Sequence, residues 1–351
     1  MQRLRNFHLA AFVTISLVLA ACGGTPAAIP AAMSEPAAPA EGATGGRLPV
    51  VASFSIIGDM VQQVGGDLVE VRTLVGPGGD AHTFEPTPAD SAALVGAKVL
   101  VENGLAFESW LDDLYAASGS SAVRVVASKG IETIAPAHSE GEAHGEGEAH
   151  GEDEAHSEGE AHSEDEAHSE AHGEFDPHIW HDVENAIAMV ANIRDGLAQA
   201  DPANAEAYRA NAEAYTAELR ELNTYVKEQV EQIPVERRKL VTSHDTFGYF
   251  AKRYGFEVIG TALGAASTEV ADPAASKIAA LVQEVRAAGV PAIFAENVSN
   301  PGLIETIAAE AGVAVAPPLY TDALGEPGSA GATYTEIIRS NVTTIVSALK
   351  G

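Results

Sequence analysis

From Leu48 onward the chain alternates short apolar runs with amphipathic stretches, and this alternation limits its folds more than any other feature. Leu48–Phe54 reads as a strand of buried type, and Val69–Val75, 98–101 and Val123–Val126 as further strands. Helical patterns separate them: Ile57, Met60, Val61 and Val64 fall at helical spacing, and 88–95 and 107–116 follow. Strands separated by helices pair in parallel through crossovers, with helices covering both faces of the sheet. The second half repeats the plan, with strands at Lys239–Thr242, 256–261, 292–295 and 314–317. Its helices are expected at 246–254, 273–288, 301–311 and 332–349. Between the halves a helix runs from Trp180 to Ala200, and Asp201-Pro202 then starts a long one over 203–232, stopped by Pro234. The expectation is two similar α/β lobes, 48–200 and 235–351, joined by a spine over 201–234.

The N-terminus follows a different logic. Arg3 and Arg5 precede an apolar run over 9–19 that ends in Leu19-Ala20-Ala21-Cys22-Gly23. Residues 1–21 thus read as a secretory signal, too short and wrongly flanked for a stable membrane span. The Leu-Ala-Ala-Cys ending resembles a bacterial lipoprotein cleavage box, in which the cysteine is acylated and begins the mature protein. A plain secretory signal is the alternative. Cys22 is the sole cysteine, so no disulfide supports the fold. Residues 22–47 hold almost nothing to bury and read as a flexible tether. The mature protein is therefore expected outside the cytoplasm, tethered to the membrane by lipid alone.

The formal charge of -30 is concentrated. Between Pro136 and Asp176 there are fifteen Asp and Glu and no Lys or Arg, which is half of the net charge. The same tract spaces His138, His144, His150, His156, His162 and His168 six residues apart, and adds His172. Without apolar residues beyond alanine, the acidic loop 136–175 cannot offset the entropy of ordering. Its imidazoles and carboxylates are expected to hold divalent metals weakly, and protonation below about pH 6.5 should loosen them. Such a charge repels nucleic acid and favours cations.

Outside the tract and the leader there are four histidines: His82, His178, His181 and His244. His82 lies in the loop after Val69–Val75, and His244 just beyond Lys239–Thr242. Asp322 follows the strand at 314–317, with four residues between. Ligands of parallel sheets sit beyond the carboxyl ends of the strands. Each residue alone fits a hydrogen-bonded loop position, but scarce imidazoles and a carboxylate at matching ends of both halves point to a metal in the cleft between lobes. Three imidazoles and one carboxylate suit tetrahedral Zn2+, whereas Mn2+ prefers more oxygen, and calcium and magnesium avoid imidazole. No zincin, P-loop, dinucleotide or nucleophile-elbow motif occurs, so no enzyme is expected. Glu296, after the strand at 292–295, is the one candidate base for a surface zinc hydrolase.

Four motifs resemble those of the cluster A-I solute-binding proteins, the metal receptors of zinc and manganese ABC importers. They are Gly79-Asp80-Ala81-His82-Thr83-Phe84-Glu85-Pro86-Thr87-Pro88, Asp176-Pro177-His178-Ile179-Trp180, Thr242-Ser243-His244-Asp245-Thr246-Phe247-Gly248-Tyr249-Phe250 and Tyr320-Thr321-Asp322-Ala323-Leu324-Gly325. The resemblance covers about 48–351, and an acidic histidine-rich loop before the second motif is typical of the zinc branch. It implies two Rossmann-like lobes linked by a long helix, with little hinge motion. It also implies ligand roles for His82, His178, His244 and Asp322, the fourth position being water or a nearby glutamate in some zinc receptors; Glu296 is open as a base, a group supporting a ligand or an occasional ligand. His181 stands where the family usually has an apolar residue, and could replace His178 or relay metal from the tract. The implied partners are an ABC permease and its cytoplasmic ATPase, served by a monomeric receptor. A manganese or iron receptor of the same family is the alternative, as is a metal-buffering adhesin.

Overall fold

The computed structural model of the protein describes residues 46–136, 175–263 and 275–351, and Gly46–Gly351 group as one compact unit. Cys22, the leader and the tract histidines from His138 to His172 lie outside the described residues. The first strand, β1 (Leu48–Phe54), runs straight into helix α1 (Ser55–Gly65) and is buried over its last five residues. After β2 (Val69–Val75) come α2 (Pro88–Gly96), β3 (Val99–Glu102), α3 (Leu111–Ser118) and β4 (Val123–Val126). The four strands form one parallel sheet in the order β2-β1-β3-β4. Proline at the first position of α2 and the Asp90 carboxylate, which accepts from the Thr87 N–H at 2.9 Å and its hydroxyl at 2.7 Å, fix where that helix begins.

Helix α3 starts at Leu111 rather than at 107: φ is +83° at Gly104 and +59° at both Leu105 and Ala106, and the chain continues in turns to Trp110. Residues in that region cannot propagate a right-handed helix. After the long connection, α4 (Val183–Ala200) is capped by Asp182, whose carboxylate accepts from the Glu184 N–H at 2.9 Å. Asp201-Pro202 opens a single 3-10 turn before α5 (Ala205–Val230), which at 26 residues is about 39 Å long. Its buried positions, Tyr208, Ala212, Tyr215, Leu219, Leu222, Val226 and Val230, recur every three or four residues and form one stripe. That stripe packs on α4, α1 and the last helix.

The second half holds β5 (Lys239–Thr242), α6 (Gly248–Tyr254), β6 (Glu257–Thr261), α7 (Ala275–Ala288), β7 (Ala292–Glu296), α8 (Gly302–Ala311), β8 (Ala314–Leu319) and α9 (Tyr334–Leu349). Here β5 pairs with β6 and β7 with β8, both in parallel, and β5 lies beside β7. The neighbour order β6-β5-β7-β8 parallels that of the first sheet, although the ladder is hydrogen-bonded only as two separate pairs, β5–β6 and β7–β8. Its ladders are less regular. The β7–β8 register slips between Phe294 and Glu296, opposite Pro317 and Pro318, which have no N–H to donate.

One continuous core joins the two sheets through α1, α4, α5 and α9, with Trp180, Phe54 and Phe107 mutually packed at ring distances of 4.9–5.1 Å where it meets the strand ends. Leu219 lies fully buried on the α5 stripe. Leu219→Ala is expected to cost about 2–5 kcal/mol in urea unfolding of the metal-free protein. An unchanged midpoint would show that α5 does not support the core.

Candidate metal centre

His82 is set by a glycine-rich loop that folds on its own side chains. The Asp80 carboxylate accepts from the His82 N–H at 2.8 Å and from the Thr83 hydroxyl at 2.9 Å. Gly78, with φ +68°, donates its N–H to the Leu324 carbonyl at 2.9 Å, and the Trp110 indole donates to the Ala81 carbonyl at 2.8 Å. The His82 ring meets Phe107 edge-on at 4.7 Å between centroids.

His178 and His244 are held by a shared device. The Asp176 Oδ1 accepts from both the backbone N–H of His178, at 2.9 Å, and its Nδ1, at 2.8 Å. Glu296, the last residue of β7, accepts from the His244 N–H at 2.9 Å through one oxygen and bonds His244 Nδ1 through the other. An ionised carboxylate only accepts, so each Nδ1 carries a hydrogen and the Nε2 is the ring atom turned toward the cluster. Asp176 is itself placed by Tyr249, whose hydroxyl donates to its carbonyl at 2.9 Å, and by the absence of a side chain at Gly248. A Cβ there would lie 2.5 Å from Asp176 Oδ2.

Asp322 arrives on the segment after β8. The Trp180 indole donates to the Thr321 carbonyl at 2.9 Å, the Thr321 N–H donates to Asn297 Oδ1 at 3.0 Å, and the Leu324 N–H donates to the Ser55 hydroxyl at 2.9 Å. These bonds clamp the aspartate against the ends of the first sheet. Its side chain is fully buried, as are those of His178 and His244, while His82 retains 5% exposure.

The structure brings His82, His178, His244 and Asp322 together, with one donor atom from each within 4.8 Å of all the others. The Nε2 of His178 lies 3.3 Å from that of His82 and 3.3 Å from that of His244. Asp322 Oδ2 is 3.3 Å from His82 Nε2 and 3.1 Å from His244 Nε2, and its Oδ1 is 3.7 Å from His178 Nε2. Four donors pointing inward at such separations make a cage of the right size for one cation.

His181 and Glu296 stand elsewhere. The His181 ring lies at 4.6 Å from that of Phe247 and 5.7 Å from that of Trp180, buried and outside the four-residue cluster. Burial holds its pKa down to about 3. Glu296 faces the far nitrogen of His244 and serves to orient that ring. Asp176, Phe107 and Asn103 were not singled out by sequence reasoning. The signal for Asp176 was available in the spacing Asp-x-His, which lets one carboxylate reach both the N–H and the ring of the histidine.

The electrostatics of the cluster follow from burial against mutual attraction. Burial pushes the Asp176 carboxyl up to about 7, opposed by the His178 N–H, and pulls His178 down to about 3. For His244 burial also favours the neutral ring, but the Glu296 and Asp322 carboxylates outweigh it and hold the pKa well above the usual range. For Asp322 burial favours the neutral acid, yet His244 and His178 outweigh it and hold the pKa well below. A proton on His244 thus does part of the work of a cation. No helix among the described residues is long and apolar enough to cross a membrane.

Residues 50–348 match the family model described as zinc-uptake complex component A, periplasmic. The chain is 33% identical over 338 residues to the manganese-binding lipoprotein MntA of Halalkalibacterium halodurans, covering 96% of each chain. It is 29% identical over 314 residues to the zinc-binding protein TroA of Treponema pallidum, covering 88% of this chain and 91% of that one. It is 30% identical over 304 residues to the iron-binding protein YfeA of Yersinia pestis, covering 86% of each. The solved structure of the Treponema protein superposes with a TM-score of 0.72 at 28% identity, over 87% of this chain and 99% of that one.

A metal that takes the Nε2 of His244 must displace the proton which that ring holds above pH 6.5. Below the raised pKa, binding is expected to release about one proton, and apparent affinity should climb up to about tenfold per pH unit through neutrality. Calorimetric titrations in buffers of different ionisation enthalpy measure this directly. Equal heats in all buffers would contradict it.

Proposed function

Because the chain belongs to the periplasmic zinc-uptake component A family of metal-binding solute-binding proteins, whose members are receptors and not enzymes, we propose that it is a lipid-anchored zinc receptor. In this reading Cys22 carries the lipid, the signal 1–21 is removed, and the tether 22–47 leaves the receptor free to move above the membrane. Lobes 48–200 and 235–351, linked over 201–234, hold the ion between them with His82, His178, His244 and Asp322. The cargo then passes to an ABC permease driven by a cytoplasmic ATPase. The tract histidines act as a loose collector outside the site.

One observation carries the zinc assignment: the donor separations. A tetrahedral ion with bonds of roughly 2.0–2.1 Å has donor–donor edges of about 3.3–3.4 Å. Five of the donor separations run from 3.1 to 3.7 Å, the 3.7 Å one through the other Asp322 oxygen, and the set as a whole lies within 4.8 Å. Three imidazoles also give the nitrogen-rich shell that zinc favours.

A second reading has support of its own. Both oxygens of Asp322 face the imidazoles, so the carboxylate can bind through two atoms and supply a fifth donor. Added oxygen and a higher coordination number suit manganese, the metal for which the Halalkalibacterium relative is named. Competition titration of the metal-free chain separates the two. Zinc is expected to displace manganese at stoichiometric concentration, in the full chain and in a chain lacking 137–173 alike, and His244→Ala should abolish the tight phase in both. Manganese binding as tightly as zinc would overturn the zinc assignment.

A further inference from the structure

Two of the three imidazoles have a carboxylate behind them, and His82 is braced differently. Its ring meets the edge of Phe107 at 4.7 Å, in a near-perpendicular arrangement of 78°. The same phenyl ring stands 5.9 Å from His178, also edge-on, and 4.9 Å from both Phe54 and Trp180. Phe107 is 1% exposed, so it has no freedom to swing away.

What holds Phe107 there is the left-handed turn that precedes α3. Three consecutive residues, Gly104, Leu105 and Ala106, have positive φ, and the last two are not glycines. An uncommon conformation in two successive side-chain-bearing residues persists only when the surroundings fix it. The buried Glu108 carboxylate does so, accepting from the Ser53 hydroxyl at 2.6 Å, the Asn103 N–H at 2.7 Å and the Gly104 N–H at 3.2 Å. Asn103 then donates its amide to the Pro177 carbonyl at 3.0 Å, tying the turn to the residue before His178. The turn, the phenyl ring and two of the four donors therefore form one hydrogen-bonded and packed unit.

We propose that Phe107, held by the Gly104–Ala106 turn and Glu108, is the positioning residue for His82, and that it fixes the four-donor geometry by packing where Asp176 and Glu296 do so by charge. The proposal rests on the four-residue site described under the proposed function. Its consequence is specific. Without the phenyl edge the His82 ring can rotate, the donor cage loosens, and the bound ion takes up water and a higher coordination number. Geometry around the ion is lost first, before the fold.

Cobalt(II) alone is the probe, because a four-coordinate cobalt site gives intense visible d–d bands that higher coordination weakens. The full chain loaded with cobalt is expected to show those bands, and His82→Ala to abolish them. Phe107→Leu should weaken and shift the bands and lower cobalt affinity by about 10-fold or more, while the unfolding midpoint of the metal-free variant shows whether it folds. Should Phe107→Leu not fold, Glu108→Ala carries the same test, since releasing the turn must move the same bands. Variant bands and affinity matching the unsubstituted chain, while His82→Ala still abolishes them, would overturn the role of Phe107 and leave the site intact. No cobalt binding by the unsubstituted chain, or bands that survive His82→Ala, would overturn the site itself and this proposal with it, and bound cobalt without four-coordinate bands would overturn this proposal alone.

Discussion

A carboxylate with no exposure to water is the condition around which the rest of the structure is arranged. Asp322 is fully buried, and its two oxygens face three imidazole nitrogens at 3.1–3.7 Å. A buried charge is tolerated only when it is paired and hydrogen-bonded. Neither oxygen has a hydrogen-bond partner among the described residues, and the His244 ring, whose pKa the carboxylates hold well above the usual range, offsets the charge only in part. A divalent ion meets the requirement better, because one centre can satisfy Asp322 and all three rings at once. The architecture thus favours occupancy by making the metal-free cluster depend on a substitute charge.

The position of Asp322 explains why the site needs both halves of the chain. Its segment leaves β8 in the second sheet, yet its backbone is fixed by Trp180, Ser55 and Gly78 from the first half. His82 and His178 come from the first half as well, and His244 from the second. The strand order is the same in both, so loops of equal standing converge from opposite sides on one point. Trp180 contributes twice, packing in the aromatic core and holding the fourth donor through its indole N–H.

Much of this was legible in the sequence, for physical reasons that differ by element. Buried parallel strands announce themselves as short apolar runs, so Leu48–Phe54 falls as expected, whereas Val69–Val75, exposed or half-buried over 70–73, shows itself by its β-branched residues between turns. The four donors were legible because imidazoles are scarce outside the tract and those three follow strands or motif boundaries. The start of α3 was not legible, since nothing in Leu105 or Ala106 advertises a left-handed backbone; tertiary bonds from Glu108 and Asn103 impose it. His181 shows the converse limit. Composition made it look like a donor, but one 3-10 turn points it towards Phe247 and away from the cluster. The orienting roles of Asp176 and Glu296 depend on side-chain rotamers, which sequence patterns do not encode.

The most direct test of the account is an anomalous difference map at the zinc edge from crystals of the zinc-loaded chain. One dominant peak is expected, enclosed by the Nε2 atoms of His82, His178 and His244 and the carboxylate of Asp322, with bonds of roughly 2.0–2.2 Å. A dominant peak elsewhere, at His181 or among the tract histidines, or a shell at this point lacking any of the three imidazoles, would contradict it.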